Sequence, residues 1–361
     1  MKLTIFTLIF LLVITAGANA DFGLEIQLSQ NATENLLSDS TEISDFYSAN
    51  RMTLSYYPVP QAEIRLSSEY NYYTDLVGLG SIVGGGGFTI IPTTENSRFN
   101  FYFSGDFASR SYRNAFSDFN TNDLDLVASA GYTASKYLRF RSGISYENSN
   151  YVNDDDADKE SYQLFGGLNF SFLGRNSLDL EFGYAFANYN FIDSSTIFTY
   201  PQELELFNAD LRSIYISPRF SRPISKRTGF NITYSYSEFS DAGDKIVFDY
   251  SSGYLSPWAS VWAGSSVTVN FKTYPFRDLV ATAGLGYFSK NFLESLQLPF
   301  ILLGRHDYQR SWYLGLSWPF TSHSGLFIEP SLQIRYTNNS SSRLLYNYKD
   351  FLAVVGMTFR I

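Results

Sequence analysis

The sequence predicts an all-β fold: a transmembrane antiparallel up-and-down β-barrel of about sixteen strands, within a range of about 14–18. Three observations predict it. The chain opens on a secretory leader. From Asp21 onward, segments of about ten alternating residues are separated by turns, the pattern of strands that cross a bilayer at a tilt. Finally, aromatic residues make up 18% of the chain, which suits aromatic girdles at two membrane interfaces.

The leader reads MKLTIFTLIFLLVITAGANA. A single cation, Lys2, precedes an apolar run that closes on the small-residue site Ala18-Asn19-Ala20. Residues 1–20 are expected to be a cleaved signal peptide, and residues 21–361 one transmembrane β-barrel domain. Loss of Lys2 would leave 25 Lys+Arg against 35 Asp+Glu, a net charge of −10. An acidic chain of this kind argues against nucleic acid as a partner. With no cysteine, it holds no disulfide, thiolate metal site or attached haem.

The first strand, near 22–30, presents Phe22, Leu24, Ile26 and Leu28 on one face. The second, near 46–57, presents Met52, Leu54 and Tyr56. After the turn PVPQ, the third (62–74) sets Ile64, Leu66, Tyr70 and Tyr72 against Glu63, Arg65 and Glu69. The fourth (79–91) and fifth (97–108) flank PTTEN, and the fifth sets Phe99, Phe101, Phe103 and Phe107 against Asp106. Strands six and seven flank TASK, with Leu138, Phe140, Ile144 and Tyr146 opposing Arg139, Arg141 and Glu147. Eight and nine flank FLGRNS, with Leu178 to Phe186 opposing Asp179 and Glu181. Ten (206–221) and eleven (228–240) flank RPISKR, twelve (259–273) and thirteen (278–290) YPFR, and fourteen (308–318) and fifteen (325–337) PFTSHS.

The sixteenth strand is the ending itself, FLAVVGMTFRI. A closed barrel has no free edge, so this strand must pair with the first. Phe351, Val355, Met357, Phe359 and Ile361 form its apolar face. The ending resembles the C-terminal assembly signal of bacterial outer-membrane β-barrels, with the aromatic displaced to Phe359. The resemblance implies the barrel assembly machinery as a partner.

Short turns alternate with longer polar connections, as in barrels with short periplasmic turns and long external loops. Both termini are therefore expected on the periplasmic side of a diderm outer membrane, with lipid and lipopolysaccharide as neighbours. SIVGGGGFTI, 81 to 90, reads as a barrel corner or as a smooth wall on which a loop rests. Pro330 removes a ladder donor on the lipid face and predicts a bulge or a later strand start.

The expected lumen-lining residues are Arg51, Glu63, Arg65, Glu69, Asp106, Arg139, Arg141, Asp179, Glu181, Asp210, Arg212, Lys272, Glu329 and Arg335, with Asp123, Asp125 and Glu147 beside them. Their slight acidic excess predicts weak cation preference. Connections 241–258 and 291–307 are the expected partial constrictions. No enzymatic activity is expected: the two histidines, His306 and His323, fall at opposite barrel ends, and His306 beside Asp307 reads as a solvated loop pair. No metal or cofactor is expected. Asp154, Asp156 and Asp158 have calcium-loop spacing, but Lys159 stands where glycine is required. Weak divalent bridging to lipopolysaccharide is their only metal role.

The repeated phrasing of SYQLFGGLNFSFLGRNSLDLEFGYAF and YISPRFSRPISKRTGFNITYSYSEF resembles bacterial porin-like outer-membrane β-barrels, including β-barrel porins associated with exopolysaccharide gene clusters. The resemblance implies a passive channel for small hydrophilic solutes, with homo-oligomers common among such proteins. The alternatives are an export or scaffold barrel, serving as a polysaccharide conduit or a sheath for a partner protein, and a surface protein that binds through its loops.

Overall fold

The computed structural model describes residues 21–36, 43–92, 97–153, 158–172, 175–192, 206–241, 262–276, 278–298, 301–322, 325–342 and 346–361. Its strands are β1 (Asp21–Thr33), β2 (Asp45–Val59), β3 (Ala62–Tyr73), β4 (Ser81–Ile90), β5 (Phe99–Tyr112), β6 (Thr121–Ser135), β7 (Leu138–Tyr151) and β8 (Lys159–Phe172). There follow β9 (Asn176–Ile192), β10 (Leu206–Pro223), β11 (Thr228–Asp241), β12 (Trp262–Thr273), β13 (Val280–Leu298) and β14 (Ile301–Ser317). The two-residue β15 (Phe320–Thr321) precedes β16 (Phe327–Ser341) and β17 (Tyr348–Arg360). Each strand pairs antiparallel with the next, β14 with β16 across the stub β15, and β17 with β1. The result is a closed barrel of sixteen full strands. Closure is what a spanning sheet needs, because lipid cannot satisfy an open edge.

The ending performs the expected pairing. Ile26 lies opposite Phe359 and Leu28 opposite Met357. Leu24 and Ile361 exchange both backbone hydrogen bonds, each at 3.0 Å. The alternation therefore runs to the last residue because each of those residues has a partner across the seam.

Register assigns every strand two faces. One carries Phe22, Leu54, Ile64, Phe88, Phe103, Leu126, Ile144, Leu164, Phe182, Ile214, Leu285 and Val355, all well exposed. The other carries most of the charge. Polar side chains on that second face touch across an intervening strand. Arg65 on β3 reaches Asp106 on β5, Arg141 on β7 reaches Glu181 on β9, and Tyr313 on β14 reaches Asn270 on β12. Strands two apart are about 9.5 Å from each other. Side chains can bridge that gap only where curvature brings them together, which makes the charged face the concave one.

The bridging has a sequence cause. Arg65, Gly87 and Asp106 lie in one register row, as do Arg141, Gly167 and Glu181, and Asn270, Gly284 and Tyr313. A Cβ on Gly87 would sit 2.0 Å from Asp106 Oδ1, and one on Gly284 2.1 Å from the Tyr313 ring. In these two rows the glycine is the space through which the outer two side chains meet. This settles the SIVGGGGFTI stretch: β4 runs unbroken in register, and an ion pair crosses it at Gly87.

Two expectations need correction. The expected loop 291–307 is largely strand, because β13 extends to Leu298 and β14 begins at Ile301, with a bulge between Phe292 and Ser295. The apolar segment within it continues the hairpin. At Pro330 there is no bulge, and β16 pairs with β17 in unbroken register. The carbonyl of Pro330 accepts from Trp318 N–H at 3.0 Å. Its missing N–H thus faces Trp318, just where β14 ends, and the ladder is interrupted there.

Candidate functional site: the barrel lumen

The concave wall is built from ion pairs. Arg65 contacts Glu63 at 3.1 Å and Asp106 at 2.9 Å. Arg141 meets Glu181 at 2.8 Å, Lys159 meets Glu147 at 2.7 Å, and Arg219 meets Asp179 at 3.4 Å. Asp179 also accepts a short hydrogen bond from Asn169, and Arg360 pairs with Glu25 across the β1–β17 seam. Tyr215 lies over Gly183, donating to Glu181 and accepting from Gln163.

The remaining expected residues divide. Arg51 faces Gln27 and Glu69 in register, and Glu69 accepts from Asn71 at 2.8 Å. Asp123 and Asp125 share the concave parity of β6, Arg139 that of β7, Lys272 that of β12, and Glu329 and Arg335 that of β16. Arg212 is different. It pairs with Phe186 at the parity of Ile214 and Tyr184, the convex face, and it is exposed. Asp210 occupies the same parity opposite Asn188. The apolar phase of β10 changes between Leu211 and Ile214, where the register with β9 runs on unbroken and that with β11 shifts between Arg212 and Ser213; the side chain of Asp210 lies outside the described residues.

His306 lies on β14 instead of in a loop, with Nδ1 2.6 Å from Asn291 Oδ1. It has convex parity, whereas Asp307 has concave parity, so the two are not a pair. His323, Asp154 and Asp156 lie outside the described residues. Asp158 accepts from Tyr151 N–H at 2.7 Å and closes the β7–β8 hairpin. Among the described residues there is no cluster of three metal-ligating side chains.

The end with the long connections is partly filled. Expected constriction 241–258 falls almost wholly outside the described residues, and the described parts of the connections after β1, β3 and β5 pack together at this end. Leu36, Tyr73 and Leu79 form a buried apolar cluster, with Tyr47, Leu76 and Phe116 packed on it. Tyr47 and Tyr73 stack on the concave side at 4.9 Å. Asp45 holds this arrangement together. Its buried carboxylate accepts backbone N–H groups of Phe46, Thr74, Asp75 and Leu76 at 2.6–3.1 Å. Asp350 does likewise for the first connection, accepting from Thr33 Oγ1 and Asn35 N. Below these loops lies a polar cavity of about 320 Å³ that includes Asn71, Ser81, Arg110, Tyr112 and Asp123.

Beside the Asp350 arrangement, Arg305 and Asp307 form a buried pair at 2.8 Å. Asn339 also donates to Asp307, and the Arg305 guanidinium lies 3.4 Å from the Tyr346 ring centroid. Asp45, Asp350, Arg305 and Arg110 escaped sequence reading. Each is a single charge near a strand end, and only its partners distinguish it.

No protein-family model and no curated protein matches the chain. Solved structures do match its shape. Acinetobacter baumannii OccAB1 aligns with a TM-score of 0.54 at 8% identity, over 95% of this chain and 97% of its own. Pseudomonas aeruginosa OpdK, solved with vanillate, gives 0.50 at 10% identity over 94% and 98%. CdiB from Acinetobacter baumannii gives 0.54 at 9% identity over 94% of this chain and 60% of CdiB. At such identities the likeness carries the fold alone. That fold is the closed antiparallel β-barrel of porin type.

Proposed function

We propose that the protein is a passive channel for small hydrophilic solutes, with the short turns and both termini on the periplasmic side. The observation that carries this is a sixteen-stranded closure around a charged concave wall. Barrels of about sixteen strands leave an aqueous channel unless plugged. Carboxylates on this wall are largely matched by arginine and lysine neighbours, which supports weak overall selectivity with at most a mild preference for cations.

The test is single-channel recording of the refolded protein in planar bilayers. Stable steps on the order of a nanosiemens in molar salt are expected for an open pore of this size. A salt-gradient reversal potential near zero would fit the paired wall, and strong anion preference would overturn that part. Silence from a correctly folded barrel would reject the passive-pore reading and favour a conduit that opens only with a partner.

A further inference from the structure

At the short-turn end the charge pattern changes. A cavity of about 630 Å³ is bordered by Arg175, Arg222, Lys226, Arg227 and Lys272, and by no acidic residue. Elsewhere Arg65, Arg141, Lys159, Arg219, Arg305 and Arg360 all sit in ion pairs. The five at this mouth make none among the described residues, as is true also of Arg51, Arg139 and Arg335, but only here do such cations gather round one cavity. Like charges gathered around a concavity repel one another and focus a positive potential into it. The arrangement is costly while empty and becomes favourable when an anion enters.

The floor of the cavity is polar and fixed. Tyr313 Oη donates to Asn270 Oδ1 at 3.0 Å, and Asn270 Nδ2 donates to Asn231 Oδ1 at 3.0 Å. Lys272 stands beside this row with its ammonium 5.4 Å from the Tyr274 ring centroid. Asn231, Asn270, Lys272 and Tyr313 all have concave parity, so this part of the cavity faces the lumen, whereas Arg222, opposite Phe230, has convex parity and borders the cavity from the outer side of the wall. Arg175 supplies an independent indication. It is the one non-glycine residue with positive φ (66°) among the described residues. An arginine placed where glycine would be cheaper points to use of its side chain.

We infer that this mouth is a binding site for small multivalent oxyanions, of which phosphorylated solutes are the best fit. Arginines on two turns, Arg175 and Arg227, and Lys272 on β12 border the one cavity. That geometry suits an anion with oxygens in several directions better than a planar carboxylate. The site rests on the channel reading only for the passage of its ligand, not for binding.

The test uses pyrophosphate as probe and the whole refolded chain. Titration calorimetry in neutral detergent should show saturable binding that weakens with added salt. Lys272→Gln and Arg227→Gln should each weaken it about tenfold. Arg175→Gly should weaken it comparably while folding at least as well as the parent, because it relieves the positive φ. In planar bilayers of neutral lipid, pyrophosphate should reduce current more strongly from the short-turn side. Absence of saturable binding, or binding untouched by all three substitutions, would overturn the proposal. So would substitution-sensitive binding to phosphatidylglycerol vesicles with no pyrophosphate binding, which would reassign the cluster to lipid headgroups. A silent barrel that still binds pyrophosphate would reject the channel reading and uphold the site.

Discussion

Replacing Gly87 with alanine tests whether the glycine rows shape the lumen. The added Cβ would lie 2.0 Å from Asp106 Oδ1 and 2.7 Å from the Gly105 carbonyl oxygen. The first contact can be relieved, because the Asp106 side chain is half exposed and can swing away. Doing so breaks its 2.9 and 3.1 Å hydrogen bonds to Arg65. After discounting for exposure, that pair contributes about 0.5 kcal/mol. The second contact is with backbone and cannot swing, and overpacking of this kind costs about 1–3 kcal/mol. Alanine returns roughly 0.4–1 kcal/mol by restricting the unfolded chain. The expected net loss is therefore about 0.5–3 kcal/mol.

Urea unfolding of the barrel refolded in detergent or liposomes, followed by heat-modifiable migration and tryptophan fluorescence, would measure it. Asp106→Asn removes the charge without adding an atom, and should cost no more than about 0.5 kcal/mol. The double variant should fall short of the sum, since Gly87→Ala already displaces Asp106. A Gly87→Ala barrel with a parental urea midpoint would refute the claim that β4 needs glycine for the crossing.

Three further outcomes are expected. Asp45→Ala strips an acceptor from the backbone N–H groups of residues 74–76, so limited proteolysis of the folded barrel should gain a cleavage site within 74–80; an unchanged digestion pattern would mean the apolar cluster alone holds that loop. Arg305→Ala removes the ion-pair partner of Asp307, which is only 2% exposed and keeps its hydrogen bond from Asn339; stability should fall by about 3 kcal/mol in the same urea assay, and a loss under about 1 kcal/mol would contradict the buried pair. Deleting residues 359–361 removes the Leu24–Ile361 hydrogen bonds and the aromatic at the seam; the heat-modifiable, membrane-inserted fraction should drop severalfold, and normal yields would argue against an assembly role for the ending.

Period-two alternation was legible wherever lipid enforces it. In the fifth strand Phe99 to Phe107 must face hydrocarbon and Asp106 must not, so phase and strand position follow from composition. The same holds for the seventh and ninth strands and for the ending. Beyond the membrane interface that pressure stops. In β10 the apolar residues change phase between Leu211 and Ile214, so alternation groups Arg212 with the charged face although its register sets it opposite Phe186. The segment 291–307 reads as loop because its sequence does not alternate, although backbone pairing carries β13 to Leu298 and starts β14 at Ile301.

Local pattern is enough for the fold class: strands of spanning length, turns of alternating length, an apolar face, and a last strand able to pair with the first. Which charges meet is a matter of three-dimensional closure. Alternation says that Arg65, Gly87 and Asp106 share a face, but not that they share a row, because register between strands distant in sequence is set by closure. The loops leaning over the mouth, the buried Arg305–Asp307 pair and the unpaired cations at the opposite rim all depend on that closure. It converts a one-dimensional pattern of faces into a three-dimensional pattern of neighbours, and the lumen's chemistry resides in the neighbours.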